Sequence, residues 1–348
     1  MKNNLLILCL ICWHNFFCQT VVKESPFQVA FYNLENLFDT VNDPLTDDYE
    51  FLPTSQHRWT TERYTQKIHN LARSIASLGN WQGPDVLGVC EVEHKSCLLD
   101  LTKKTSLNQF NYEVIHQESA DKRGIDVACI YKKDKFELIN YQYLKINFSF
   151  DTKPTRDILY VKGKALGKDT VHIFYSHWPS RMGGVAESEP KRIEAANTLK
   201  ACIDSILSTN QLAKIIVSGD FNDGTTSQSI YNHLKADHSQ EVNEKLLFNT
   251  SHYLAHTLRK GSHKYQDEWN LFDQIIISKI LLDTNETMFC YPKTSKIHDD
   301  KTWLNESDSF SNGQKPKRNF VGTQYNNGYS DHYAVSLTFW LKQFNLGR

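Results

Sequence analysis

From one end of the chain to the other run short stretches rich in Val, Ile, Tyr and Phe, and several of them stop at a carboxylate, a carboxamide or a histidine. They are FQVAFYNL (27–34), DVLGVCEV (85–92), YEVIHQ (112–117), DVACIYKK (126–133), DILYVKGKAL (157–166), VHIFYSHW (171–178), KIIVSGDF (214–221), FDQIIIS (272–278) and YAVSLTFWL (333–341). β-Branched and aromatic side chains fit a pleated, half-buried surface, so these stretches predict strands. Two segments carry helical spacing instead. In one the apolar stripe is Tyr64, Ile68, Leu71, Ile75 and Leu78, closed by Gly79; in the other it is Ile193, Ala196, Leu199, Ile203 and Ile206. Strands with helices between some of them predict a mixed α/β domain, its sheets packed together beneath outer helices.

Nothing divides residues 27–342, which lack internal repeats and low-complexity linkers. With 348 residues and 40% hydrophobic content the chain can bury a large two-sheet core. A formal net charge of -1 excludes a protein whose affinity rests on a broad basic face, though not a local basic groove. The stretch 292–328 is polar and aperiodic, with Lys293, Lys296, Lys301, Lys315, Lys317 and Arg318. It reads as one long loop, and such loops are usually functional or disordered.

Residues 1–20 stand apart: Lys2, then the apolar run LLILCLICWHNFF, with polar residues resuming at Gln19. The pattern predicts an export signal and a periplasmic or extracellular mature protein without stable membrane insertion. Lipid anchoring at Cys18 is the alternative, weakened by the bulky residue before it. Cys90, Cys97, Cys129, Cys202 and Cys290 are widely spaced and form neither a disulfide framework nor a zinc pattern. Cys90 and Cys129 lie in strand runs and read as small buried apolar residues.

The strand ends bring polar groups in a fixed order. Asn33 and Glu35 follow AFY; Glu91 and Glu93 close LGVCEVE; His177 and Arg181 stand in SHWPSR. Asp220 and Asn222 follow VSG, Asp273 opens FDQIII, and Asp331 and His332 precede the last strand. Taken singly, an Asp-Asn-Asp cluster before Gly224 also makes an ordinary turn. Glu91 is harder to dismiss. A carboxylate at the end of an apolar strand costs several kcal/mol unless it is paired or bound to metal. Oxygen donors of this kind suit a hard divalent cation that keeps waters for substrate. Rival motifs are missing: there is no G-x-S-x-G and no H-E-x-x-H, and GKALGKDT (163–170) lies between two strand runs as a hairpin turn.

The ordered set N-L-E-N, C-E-V-E, S-H-W-P-S-R, G-D-F-N-D and Y-S-D-H resembles the endonuclease/exonuclease/phosphatase superfamily, with the deoxyribonuclease-I-like fold. The resemblance implies a four-layer α/β sandwich, two packed mixed β-sheets flanked by helices. It also implies metal-dependent hydrolysis of phosphoesters, with Mg²⁺ as the cofactor and Mn²⁺ or Ca²⁺ as substitutes. Carried over position by position, it makes Glu91 the principal metal ligand, with Asn33 and Asp331 on the metal side. Asp220 and Asn222 would orient water and phosphate, and His332 would be the general base, held by Asp273. His177 would contact the phosphate. Arg181 and Arg123 are candidates for binding phosphate bidentately. Glu35 matches a variable polar position, and Asp126 would orient a neighbour from behind.

The implied partner is a phosphoester, with nucleic acid cut by a monomeric secreted nuclease as the first reading. A phosphatase or phosphodiesterase on an inositol phosphate, a sphingomyelin-type lipid or another small molecule is the second. The inositol reading is weakened because EWNLFDQII (268–276) has no arginine after its aspartate. A binding module that kept the fold and lost catalysis is the third.

Overall fold

Period-two alternation along the strands decides which side chains meet the opposite sheet and which meet a helix. The computed structural model describes residues 22–239, 241, 246–308 and 313–344. The first elements are β1 (Val22–Leu37), α1 (Thr61–Trp81), β2 (Val86–Val92), α2 (Lys95–Lys103), β3 (Tyr112–Ile115) and β4 (Asp126–Lys132). β5 (Phe136–Leu144), β6 (Ile158–Ala165), β7 (Asp169–His177), α3 (Val185–Thr209) and β8 (Lys214–Asp220) follow. Short pieces come next: β9 (Ala236–Asp237), β10 (Leu247–Asn249), α4 (His252–His256), β11 (His263–Tyr265) and β12 (Glu268–Asn270). Then come β13 (Asp273–Ser278), β14 (Met288–Cys290) and β15 (Lys296–Ile297). β16 (Asn305–Ser307), β17 (Gln314–Pro316), β18 (Phe320–Val321), β19 (Gln324–Tyr325) and β20 (Val335–Phe344) end the chain's ordered elements.

Two 7-stranded mixed sheets form the centre. One runs β14-β20-β1-β2-β4-β3 with β15 added on β20; the other runs β5-β6-β7-β8-β13-β10-β9. Phe31, Cys90, Cys129, Tyr175, Ile216, Ile275 and Leu337 fill the space between them. The alternate residues Ala30, Tyr32, Leu87 and Val89 turn outward onto α1 and α2. Phe174, Ile215, Val217 and Ile276 turn outward onto α3. Helix, sheet, sheet, helix is the four-layer order expected.

The pairing directions place the site. β1 and β2 are parallel to each other, and β20 is antiparallel to β1. The C-terminal ends of the first two therefore lie beside the N-terminal end of the third. β7 and β8 are parallel and β13 is antiparallel to β8, so the second sheet repeats the device. In both sheets the polar strand ends gather along one edge.

The α1 stripe is buried as expected, and the helix breaks at Gly79, which has φ +61°. α3 is rotated from its expected face. Arg192, Ala195, Ala196, Leu199, Ile203 and Leu207 are buried, while Ile193 and Ile206 sit half-buried at the margins. The reason is Arg192, fully buried, with Nε 2.8 Å from Asp223 Oδ2. A paired cation occupies a core position that hydrophobic pattern alone assigns to its apolar neighbour. The stretch 292–328 is not one structureless loop. β16 pairs with β17 and β18 with β19, and Lys317 N–H donates to Leu304 O at 2.8 Å. Two- and three-residue polar strands are too short to show a period. The GKALGKDT stretch is the β6–β7 hairpin, and the five cysteines are free, with Cys90 and Cys129 buried. Among the described residues no helix is long and apolar enough to cross a membrane. The export signal read at residues 1–20 lies outside the described residues.

The Tyr175 ring of the second sheet packs directly on Gly88 of the first. A Cβ added there would lie 2.0 Å from the Tyr175 ring, which itself stacks on Phe31 at 6.3 Å. Gly88→Ala is expected to lower stability by about 1–3 kcal/mol, the usual cost of overpacking a core. Urea unfolding measures it, and an unchanged midpoint would refute this account of the sheet interface.

Candidate active site

Irregular backbone turns the carboxylates off the strands. Pairing of β1 with β2 shifts register between Asn33 and Leu37, and pairing of β2 with β4 shifts between Cys90 and Val92. Inside those shifts Glu35, Asn36 and Glu91 have φ of 50°, 55° and 60°, and Asn222 beyond β8 has φ of 50°. A bulge re-aims a side chain, and left-handed non-glycine residues at about 1–3 kcal/mol each persist only where surrounding contacts hold them. One such contact is visible: Asn36 N–H donates to Glu91 Oε2 at 2.9 Å.

Asp220 is the meeting point. Its Oδ2 accepts from Asn33 Nδ2 at 3.1 Å and lies 3.7 Å from His177 Nε2 and 3.8 Å from His332 Nε2. Its Oδ1 accepts the Asn222 N–H at 3.0 Å, closing the G-D-F-N turn that the sequence left as turn or site. It is both. Burial, reinforced by Asp273 and opposed by the His332 charge, pushes the Asp220 carboxyl up to about 7.

His332 is held by Asp273, whose Oδ2 lies 2.6 Å from Nδ1. Asp273 is fully buried, and Ser262 Oγ accepts its backbone N–H. Burial works against a charge on His332, yet Asp273, Asp220 and Asp331 hold its pKa well above the ordinary value. His177 goes the other way. Burial, followed by the charges of Arg156, Arg123 and His332, pushes it well below the ordinary value. Two imidazoles facing one carboxylate are thus shifted in opposite directions, the arrangement that separates acid from base roles.

On the other flank Glu35 Oε2 accepts the Asn319 N–H at 2.7 Å and lies 3.5 Å from Lys67 Nζ. Arg318 lies 3.5 Å from Glu35 Oε1 and donates to Asp331 Oδ2 at 3.2 Å. Burial raises Glu35 to about 7, with Lys67 opposing. Burial also works on Asp331, but His332 and Arg318 keep it below its ordinary value. Glu91 Oε1 faces His177 Nε2 at 3.8 Å, too long for a hydrogen bond. Glu91, Asn33 and Asp331 offer oxygen donors of the kind a hard divalent cation prefers.

The structure brings Asn33, Glu35, Glu91, His177, Asp220, Asn222, Asp273, Asp331 and His332 to this edge. The remaining candidates stand differently. Arg181 gives Nε to Asn222 O at 2.8 Å and Nη2 to Asp223 at 3.3 Å, packed on the Phe272 ring. It braces the loop. Arg123 is half-exposed, with Nε 3.8 Å from Asp121. Asp126 holds His116 at 3.3 Å and the Ser119 N–H at 2.7 Å.

Four residues escaped sequence reasoning. Lys67 is buried on α1 and donates to Tyr329 O at 2.8 Å. Arg156 donates to Trp178 O at 2.7 Å and to Asp121 at 3.1 Å. Arg318 stood only among the loop's basic residues, and His263 packs its ring against His332 at 4.7 Å. Lys67 interrupts a helical apolar face, and that was the one signal available.

The sequence profile of the Endonuclease/Exonuclease/phosphatase family matches residues 28–341. No curated protein matches the chain. An endonuclease/exonuclease/phosphatase family protein from Bacteroides thetaiotaomicron superposes with TM-score 0.57 at 15% identity, covering 93% of this chain and 100% of that one. The mannosyl-6-phosphatase of Bacteroides thetaiotaomicron gives TM-score 0.55 at 14% identity, over 90% of this chain and 99% of its own. Danio rerio TDP2 complexed with single-strand DNA product gives 0.54 at 13%, over 90% and 99%. At such identities these likenesses establish the fold.

The His332–Asp273 contact yields a kinetic expectation. His332→Ala should slow hydrolysis of bis-p-nitrophenyl phosphate about a hundredfold or more, and Asp273→Asn should slow it by releasing the ring's tautomer. The double variant should lose less than the product of the single losses, because the pair acts as a unit. Independent, multiplicative losses would separate the two residues.

Proposed function

The chain belongs to the endonuclease/exonuclease/phosphatase family, a family of divalent-metal-dependent phosphoester hydrolases, and from that premise we propose that it is an exported Mg²⁺-dependent nuclease. The observation that carries the hydrolytic reading is the buried Asp273–His332–Asp220 line, with a neutral His177 beside the same carboxylate. Glu91, Asn33 and Asp331 would hold the cation, which when bound offsets the negative charge of the phosphate. The chain's own groups do the rest. Asp220, fixed by Asn33 and the Asn222 N–H, offers its acceptor oxygen to a water. Asp273 fixes the His332 ring so that Nε2 faces the reacting groups. With its pKa raised by the surrounding carboxylates, His332 donates a proton when charged and takes one from water when neutral. His177 donates or accepts at Nε2 without bringing a charge. Arg123, half-exposed and close enough for its charge to act on His177, is the cation left for a phosphate oxygen. Such preorganised charges stabilise the anion that grows in the transition state.

For the substrate, likeness to TDP2 carrying a DNA product supports nucleic acid. The second reading, a phosphatase or phosphodiesterase on a small molecule or a lipid, is favoured by the paired state of the basic loop. Lys296 and Lys301 meet Asp300 at 3.2 and 3.4 Å, and Lys315 lies 3.7 Å from Glu306. Those pairs reduce the positive field a polynucleotide would meet.

Glu91→Gln should shift Mg²⁺ activation to at least about tenfold higher concentration while circular dichroism stays unchanged, because a neutral amide is a poorer ligand for a hard ion. An unshifted activation curve would remove Glu91 from the metal side. A panel of single-stranded DNA, RNA, sphingomyelin, an inositol phosphate and mannose 6-phosphate decides the substrate. Cleavage of the oligonucleotides supports the nuclease, and turnover confined to sphingomyelin or the small phosphates replaces it with the second reading. Export makes a separate expectation: mass spectrometry of protein from its producer should find the first residue between Cys18 and Lys23. An intact Met1 in a cytoplasmic fraction would refute it, and a diacylglyceryl mass on Cys18 would replace cleavage with anchoring.

A further inference from the structure

Just past the paired ends of β1 and β2 lies a cluster that the reaction centre does not use. Leu37 and Val92 are register partners, so Asp39, Glu93 and His94 emerge side by side. One ligand atom from each lies within 4.8 Å of the other two. Glu93 is 1% exposed. Its Oε2 accepts the Asp39 N–H at 2.7 Å, but its Oε1 is buried without a hydrogen-bond partner. That oxygen faces His94 Nε2 at 3.8 Å. Protonating Glu93 does not repair this, because the resulting O–H would still find the ring nitrogen out of reach. The opposite ring nitrogen is fixed: His94 Nδ1 lies 3.1 Å from Glu118 Oε1. A carboxylate on Nδ1 places the N–H there and leaves the Nε2 lone pair directed at Glu93, as in metal-bound histidines.

We propose that Asp39, Glu93 and His94 bind a divalent transition ion of the Zn²⁺ type, at a site separate from the reaction centre. An ion between Oε1 and Nε2 gives both facing lone pairs a partner and offsets the buried Glu93 carboxylate. Mixed imidazole and carboxylate donors select Zn²⁺ over Mg²⁺, which prefers oxygen and water. The rival account is a protonated His94 between Glu93 and Glu118. It leaves Oε1 unbonded at 3.8 Å and predicts no response to zinc. The bound ion would clamp the exits of the two strands that present Asn33 and Glu91, so it acts on stability rather than on substrate.

Chelator-treated protein, dialysed against Zn²⁺ in excess Mg²⁺ that competes at the reaction centre, provides the test. Bound zinc is counted by plasma mass spectrometry and Tm is followed with and without it. His94→Ala and Glu93→Gln should each bind one equivalent fewer than the unmodified protein and lose the zinc-dependent rise in Tm. Glu91→Gln should keep both. Glu118→Gln, altered at an exposed carboxylate, should weaken zinc about 10–100-fold. Equal zinc content and equal Tm shifts in the unmodified protein and His94→Ala overturn the site. Should the first two variants fail to fold, unchanged zinc affinity in Glu118→Gln overturns it. Phosphoesterase assays do not enter, so the outcome is independent of the proposed activity.

Discussion

Two hydrogen bonds join the two halves of the site: Asn33 Nδ2 of the first sheet donates to Asp220 Oδ2 of the second at 3.1 Å, and His332 Nδ1, on the turn into β20, meets Asp273 Oδ2 at 2.6 Å. Each sheet gathers polar strand ends along its own edge by alternating parallel and antiparallel neighbours, but neither edge is a site alone. The first holds Asn33, Glu91 and Asp331; the second holds His177, Asp220 and Asp273. Sheet-on-sheet packing through Gly88 and Tyr175 sets the separation at which the amide reaches the carboxylate. Ser330 Oγ donates to Asn33 O at 2.7 Å, so the turn carrying Asp331 and His332 is tied to the same residue. Asn33 thereby registers β1, β8 and the entry to β20.

The local energetics are closely matched. Left-handed non-glycine residues cost about 1–3 kcal/mol each, and Glu35, Asn36, Glu91 and Asn222 all carry that cost. Hydrogen bonds to charged groups return about 1.5–3 kcal/mol each. Glu91 accepts the Asn36 N–H, Glu35 accepts the Asn319 N–H and Asp220 accepts the Asn222 N–H. Each strained segment is held by a carboxylate bond of similar size. The carboxylates that serve the chemistry therefore also fix the backbone that presents them, which is why their amide variants test function more cleanly than alanine ones.

Fold class was legible because strands and the α1 stripe are local periodicities. Strand-end polarity was legible too, since a carboxylate after DVLGVC or VSG breaks an apolar run in plain view. What the residues alone could not show are partners that arrive across the fold; the Asp273–His332 contact was expected only through the family resemblance. Lys67 reaches Tyr329, 262 positions away, and Asn319 reaches Glu35 across 284. Arg192 displaced the expected α3 face only because Asp223 meets it inside the core. Arg181, placed by its motif against phosphate, spends its guanidinium on Asn222 and Asp223. A motif preserves residue type and order, while the direction of a guanidinium depends on which acceptor the tertiary structure brings nearer.

The two histidines show how little separates opposite roles in such a site. Both lie under 4 Å from Asp220 Oδ2, and both are buried, so burial alone would leave both neutral. The difference lies behind each ring. His332 has Asp273 on Nδ1 at 2.6 Å, whereas His177 Nδ1 is buried without a partner and Arg156 and Arg123 add repulsion. Around His332 the carboxylates of Asp273, Asp220 and Asp331 together outweigh the desolvation of its charge, whereas around His177 two guanidiniums add to that desolvation. The charge pattern of the site is therefore set from its second row. Asp273 and Arg156, neither exposed to solvent, push the two imidazoles in opposite directions.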